Sequence, residues 1–308
     1  MAFNLYFAGE STKLSNELLL KLNCNRLYSQ KNDRKSIQRW VDGRKECGST
    51  GYLFIDSGAF SAHTKGVELN VDDYIDYLNT NDDEFHIFAQ VDKIPGVFRQ
   101  PKTKEQILEA PALSWENYLY MAPRVKSRDK LLPIFHQGEN YSWLENMLEY
   151  KHSDGTHIKY IGISPANDLS VKDKERYIDK CFEIIKHSSN PNVCTHAFGM
   201  TSLKLLERYP FTSADSTSWL MTASMGGIMT PYGIILVSDR GLKEPKHIKN
   251  MPKDAQQTIL NYLDSLGLTI EYVMTDYDGR AECNIKYLKN WSDNYIYKPI
   301  KTFKKSLF

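Results

Sequence analysis

The sequence has no cysteine pair at two-residue spacing, no long hydrophobic run and no excess of either charge. Each absence removes a class of function. The five cysteines (Cys24, Cys47, Cys181, Cys194 and Cys283) are scattered and odd in number. Neither a disulfide framework, a zinc knuckle nor a redox pair is therefore expected, and free thiols suit a reducing, cytoplasmic compartment. Apolar runs stay short, as at 18–20 and 234–237, so no membrane partner or spanning segment is expected. Residues 1–10 lack the basic start and apolar stretch of a signal peptide. With 39 Lys and Arg against 38 Asp and Glu, the formal charge is +1. That balance excludes nucleic-acid binding through bulk charge and leaves room only for a local basic face.

What is present is an alternation. Short β-rich runs occur at 4–8, 26–29, 52–56, 86–92, 131–136, 160–164, 193–198 and 212–215. Between them the apolar residues recur at helical spacing, over 11–22, 33–47, 71–78, 103–121 (interrupted at Pro111), 143–150, 171–187 and 201–209. Eight strands alternating with helices predict an α/β fold closed as a (β/α)8 TIM barrel. The competing doubly wound sheet wants a glycine-rich phosphate loop after its first strand, and Phe7-Ala8-Gly9-Glu10-Ser11 does not supply one. Beyond Asp215 the pattern changes to a β-hairpin at 226–238, a helix at 254–266, a strand at 269–274 and a helix at 283–291. The expected domains are a barrel over 1–220 and, over 221–308, the hairpin with a small α/β appendage and a basic tail. From Lys286 to Phe308 the chain has six Lys against one acidic residue, Asp293. Such a run is either a solvated tail or a nucleic-acid contact.

Catalytic groups of a barrel come from the C-terminal ends of its strands. Here those ends read Asp56-Ser57-Gly58-Ala59-Phe60, Gln90-Val91-Asp92, His136-Gln137-Gly138, Gly162-Ile163-Ser164, His196-Ala197-Phe198-Gly199 and Asp215-Ser216. A carboxylate at the end of an apolar run is costly to bury unless a partner satisfies it. Three on one face point to a site. No His-x-His follows the first strand and no cysteine cluster exists, so no metal or cofactor is expected. A Schiff base at Lys93 is read instead as a polar loop start. Paired carboxylates suit displacement at an anomeric carbon, one as nucleophile and one as acid/base. Phe60 and Phe198 beside them suit a flat substrate, although plain core packing explains both as well. His136 and His196 are read as hydrogen-bonded structural histidines.

The segment Asp56-Ser57-Gly58-Ala59-Phe60 resembles the Asp-Ser-Gly-Gly-Tyr/Phe-Gln motif of the tRNA-guanine transglycosylase superfamily, itself a (β/α)8 barrel. Over about residues 50–240 the later features follow in the same order: Asp92, Gln137-Gly138, the loop at Gly162, and a Met-Gly-Val-Gly-like turn at Phe198-Gly199-Met200-Thr201. The resemblance implies Asp215 as the nucleophile that expels a base from C1′, and Asp56 as general acid/base. It implies Ser57, Asp92 and Gln137 around the purine, the backbone at Gly162 and Ile163 on its carbonyl, Phe60 and Phe198 stacked on it, and Gly199 beside it.

The departures bear on the substrate. Family members that act on tRNA carry a Cys-x-Cys-x-x-Cys…His zinc site after the barrel, and only Cys283 lies in that region here. They also carry a basic stretch after the nucleophile, where this chain has uncharged Ser216-Thr217-Ser218-Trp219-Leu220. Ala59 and Ser61 replace the motif's second Gly and its Gln. The chain is more similar to the compact phage and bacterial relatives that insert 7-deazaguanines into DNA. The expected partners are then DNA in preference to tRNA and a free 7-deazaguanine such as preQ0, with a homodimer or an accessory protein left open. A tRNA-guanine transglycosylase, a carbohydrate glycosidase, for which only Trp219 lies near a strand end, and a non-catalytic nucleic-acid-binding barrel are the alternatives.

Overall fold

Strand β1 (Asn4–Ala8) buries four of its five residues, which only a central strand covered on both faces can do. A computed structural model describes residues 3–97, 100–101, 103–166, 169–200 and 202–304. After β1 come α1 (Lys13–Lys21), β2 (Asn25–Ser29), α2 (Gln30–Cys47), β3 (Leu53–Asp56), α3 (Ala59–Thr64), α4 (Val71–Thr80) and β4 (Ile87–Ala89). Helix α5 (Lys104–Met121) leads to β5 (Leu131–Leu132) and β6 (Ile134–His136). Then follow α6 (Ser142–Glu149), β7 (Tyr160–Ser164), α7 (Val171–His187), β8 (Cys194–Ala197), α8 (Leu203–Arg208), β9 (Ser213–Ser216) and α9 (Ser218–Ser224).

The nine strands β1 to β9 are parallel and lie in the order β5-β4-β3-β2-β1-β9-β8-β7-β6. The two edges belong to one stretch of chain. Pro133 separates β5 from β6 because it has no N–H for a ladder. Leu132 O accepts from Gln90 N on one side at 3.0 Å, and Pro133 O accepts from Gly162 N on the other at 2.8 Å. The sheet is thereby a nearly closed barrel of eight β/α units, a TIM-like α/β barrel.

Local chemistry explains the helices. Ser170 caps α7 by accepting from Asp173 N, and Tyr177, Ile178, Cys181, Phe182 and Ile185 recur on the face it buries. Pro111 does not interrupt α5 as the sequence suggested. A capping box of Thr103 and Gln106 starts that helix, and buried Ala110, Ser114, Tyr118 and Met121 hold it against the barrel. That burial offsets the roughly 3 kcal/mol an interior proline costs.

Beyond the barrel, β10 (Gly227–Thr230) and β11 (Gly233–Leu236) form the expected antiparallel hairpin, followed by α10 (Lys253–Ser265), α11 (Ile270–Thr275) and α12 (Tyr277–Asp293). The strand expected at 269–274 is helix α11. Thr269 accepts from Tyr272 N as its cap, Val273 is buried, and the hairpin strands pair with each other and, at Leu236, with His247, so among the described residues no strand pairs with 269–274. The appendage beside the hairpin is helical. Helix α12 serves two cores: Ala281, Ile285 and Leu288 join the layer between barrel and helices, while Cys283 joins the hairpin cluster. Asn284 ties the parts together, accepting from Met229 N at 2.6 Å and donating to Trp219 O at 2.9 Å.

The lysine-rich tail lies away from the strands' C-terminal ends. Trp291 and Tyr295 pack on Phe3, just before β1, at 5.5 and 4.4 Å between ring centroids. Phe303 packs on Phe182 and Tyr209, and its carbonyl accepts from Lys186 near the end of α7. Lys286, Lys289 and Lys298 are held by Glu282, Asp293 and the Glu207 carbonyl. Through residue 304 the tail covers the N-terminal face of the barrel; the last four residues lie outside those described. Among the described residues, no helix is long and apolar enough to cross a membrane.

Candidate active site

Alternation along each strand sends every second side chain into the barrel. The lower interior is apolar, with Tyr6, Phe54, Ile87, Ala89, Leu132, Ile134, Tyr160 and partly buried Phe198 in one cluster. Above it, inward positions turn polar: Asp56 follows Phe54 on β3, His136 follows Ile134 on β6, His196 precedes Phe198, and Asp215 follows Ser213 on β9. Asp92 lies just beyond β4.

Asp56 is held by its own turn. Gly58 N donates to Asp56 Oδ2 at 3.0 Å, and Ser57 Oγ accepts from Ala59 N at 3.4 Å. Gly58 has φ 82°, and a Cβ there would stand 2.5 Å from Ser29 Oγ, so the position requires glycine. Burial, together with the nearby Asp92 and Asp215 charges, outweighs the Gly58 hydrogen bond and pushes the Asp56 carboxyl up to about 7. Such a group gives and takes a proton near neutrality.

Asp215 is buried, and its Oδ1 takes two partners: Gly199 N at 2.8 Å and His196 Nε2 at 3.2 Å. His196 Nδ1 lies 2.7 Å from Ser213 Oγ, which lies 2.7 Å from Tyr160 Oη. His196 is fully buried, and burial lowers its basicity despite the adjoining carboxylate. The Phe198 ring meets the His196 ring edge-on at 4.5 Å and Phe54 at 5.7 Å. It lies over Gly162, where a Cβ would stand 2.5 Å from Phe198 Cε2.

No family model matches the chain, and no curated protein matches it.

The structure brings Asp56, Asp92, Asp215, Phe198 and Gly199 together at one mouth. Asp92 is not free there, since its Oδ1 accepts from Gln90 Nε2 at 2.8 Å and its Oδ2 lies 3.3 Å from His136 Nε2. Burial opposes a charge on His136, but Asp92 and Glu139, which lies 3.2 Å from Nδ1, prevail and push it up to about 10. Three expected positions are otherwise engaged. The Gln137 amide donates to Asp173 O at 3.1 Å and accepts from Ala166 N at 3.0 Å, so it braces the loop after β7. The Ile163 carbonyl accepts from Phe198 N, and its side chain packs in the outer core. The Gly162 N–H is spent on closing the barrel. Phe60 stands on the rim, 65% exposed, while Phe198 lies in the mouth. Thr201, the last residue of the expected turn, lies outside those described.

Sequence reading passed over His136, His196, Ser213 and Tyr160 as site residues. Period-two alternation was the available signal: His196 shares the inward face with Phe198, Ser213 with Asp215, and Tyr160 with Gly162. Trp219 is fully buried, donates Nε1–H to Ala8 O at 3.0 Å and offers no face to a sugar. Lys93 is exposed, 3.9 Å from Glu68, as a polar loop start would be. Among the described residues no group of His, Cys, Asp and Glu is arranged to hold a metal ion.

Proposed function

We propose that the chain is a guanine transglycosylase that exchanges guanine in a nucleic acid, DNA rather than tRNA, for a 7-deazaguanine such as preQ0. The observation that carries this reading is the inequality of two neighbouring carboxyl groups. Asp56 is pushed up to about 7, whereas Asp215 has one oxygen fixed by two donors and the other with none among the described residues. Divided environments of this kind assign one carboxyl to proton transfer and the other to attack.

In the first half-reaction Asp215 Oδ2 bonds to C1′, the C1′–N9 bond breaks, and Asp56 gives its proton to the departing guanine. In the second, N9 of the incoming base bonds to C1′ and gives its proton to Asp56. The C1′–Oδ2 bond breaks and its electron pair returns to Asp215. Phe198 supplies the stacking face, and Asp92, held by Gln90 and His136, an acceptor for the amino-substituted purine edge. A base inside a duplex cannot reach this mouth, so the target is flipped out or single-stranded. Exposed Lys31, Lys93 and Lys172, which follow β2, β4 and β7, offer the local phosphate contacts. The motif order from Asp56 to Asp215 supports the family assignment, and the uncharged 216–220 segment favours DNA.

The test is base exchange. Guanine-containing DNA and RNA oligonucleotides are incubated with labelled 7-deazaguanines, and both incorporation and a protein–nucleic-acid adduct are measured. Incorporation into DNA, lost in Asp215→Ala and Asp56→Ala, is expected. Full exchange by both variants, or none by the wild type with either nucleic acid, overturns the reading.

A further inference from the structure

Three polar side chains, Tyr160, Ser213 and His196, are buried in the barrel interior, where apolar residues pack at no polar cost. Tyr160 is counted in the apolar cluster, yet its hydroxyl meets Ser213 Oγ at 2.7 Å. The three satisfy one another and end on Asp215 Oδ1. The chemistry of the partners sets the direction. A carboxylate oxygen only accepts, so His196 Nε2 carries the hydrogen. With the imidazole neutral, Nδ1 has a lone pair and accepts from the Ser213 hydroxyl, whose oxygen in turn accepts from the Tyr160 hydroxyl. Tyr6, Phe54 and Phe198 meet the imidazole edge-on at 5.9, 4.7 and 4.5 Å, so the ring has no room to turn.

We propose that the Tyr160–Ser213–His196 chain is a positioning device that makes Asp215 a good leaving group, and so serves the second half-reaction rather than the first. This rests on the exchange reading above. In the glycosyl-aspartate, Oδ2 is bonded to C1′ and Oδ1 is a neutral ester carbonyl, a modest acceptor. As the incoming N9 bonds to C1′ and the C1′–Oδ2 bond breaks, the electron pair returns to the carboxylate and negative charge grows on Oδ1. Donors already aimed at Oδ1 stabilise that charge without reorganising. In the first half-reaction the same donors stabilise the attacking carboxylate before the reaction, so they do not speed attack. The chain thus keeps the adduct from becoming a trap.

Single-turnover kinetics with the full-length protein separate the two steps. Ser213→Ala removes the donor to Nδ1, so the imidazole is no longer polarised towards Asp215 and its Nε2–H becomes a weaker donor to Oδ1. Adduct formation is expected within about threefold of wild type, and its resolution by free 7-deazaguanine about ten- to a hundredfold slower, so the adduct accumulates. Tyr160→Phe, which keeps the shape of the side chain, shows the same asymmetry more weakly, and Ser213→Thr restores resolution. Resolution at the wild-type rate in both Ser213→Ala and Tyr160→Phe, or equal slowing of both steps, overturns the proposal. Nitrogen-15 NMR of His196 is independent of turnover. The Nε2–H tautomer is expected in the wild type and in Ser213→Ala, with the Nδ1 resonance shifted in the variant by the loss of its hydrogen bond; an Nδ1–H tautomer in the wild type overturns the donor chain. Absence of any wild-type adduct, with the expected tautomer present, refutes the exchange reading and leaves the donor chain standing without its catalytic role.

Discussion

The imidazole of His136 sits with Nε2 3.3 Å from Oδ2 of Asp92, and Glu139 flanks its other nitrogen at 3.2 Å. This places a cation among carboxylates at the mouth of the barrel. Because its folded value is raised to about 10, His136 contributes stability that is complete below about pH 6.5 and lost as the pH rises through 10. Its side chain is 37% exposed, so solvent screening reduces the effect to about 1 kcal/mol. His136→Gln is expected to melt below wild type at pH 6 and level with it above pH 10. A stability gap that stays constant from pH 6 to 10.5 contradicts a charged His136.

Asp56 carries the opposite consequence. Its folded value, about 7, is also raised, but for a carboxyl this means the native state is penalised on ionising. Stability from the retained proton is complete below about pH 4 and is lost as the pH rises through 7. Asp56→Asn keeps an oxygen for Gly58 N. It is expected to match wild type near pH 4 and to exceed it by about 1–3 kcal/mol at pH 8. Base exchange in the same variant falls on the order of 10²- to 10⁴-fold. Denaturant melts across this range decide it, and equal stability at pH 8 removes the burial argument for Asp56.

The barrel was legible because alternation and helical spacing are local signals. Residues 160–164 and 171–187 end where the sequence placed them, since each is flanked by turn or capping chemistry and buries one continuous face. Residues 269–274 misled because β-branched content reports a pleated surface only if a neighbouring strand pairs with it, and among the described residues none does. The carboxylates were legible as polar ends of apolar runs. What Gln137 and Ile163 do was not, because a side chain's partner across 30 residues depends on the loop fold: Gln137 meets Ala166 and Asp173 rather than the mouth. The place of the tail was not legible for a similar reason, since charge spacing does not reveal that Trp291, Tyr295 and Phe303 pull it to the far face.

Gly162 offers a test of the stacking face. A Cβ there would stand 2.5 Å from Phe198 Cε2 and 3.1 Å from Leu132 Cδ1. Gly162→Ala therefore displaces the ring that meets His196 and Phe54, at a cost of about 1–3 kcal/mol from overpacking. Base exchange is expected to fall mainly through a weaker Michaelis complex for the free base. Phe198→Ala in the Gly162→Ala background removes the clash and recovers part of the stability. No recovery means that the steric conflict lies elsewhere.

Charge placement separates the two faces of the barrel. Lys301 and Lys304 lie on the tail that covers the N-terminal ends of the strands, whereas Lys93 follows β4 at the mouth. If DNA engages the mouth, Lys93→Ala weakens binding uniformly across sequences and lowers the salt slope by about one, as expected for one lost phosphate contact. The double variant Lys301→Gln and Lys304→Gln leaves both affinity and slope unchanged. Fluorescence anisotropy with a single-stranded oligonucleotide over a salt series measures both. A loss of slope in the tail variant, with none in Lys93→Ala, would move the nucleic acid to the opposite face and detach it from Asp56 and Asp215.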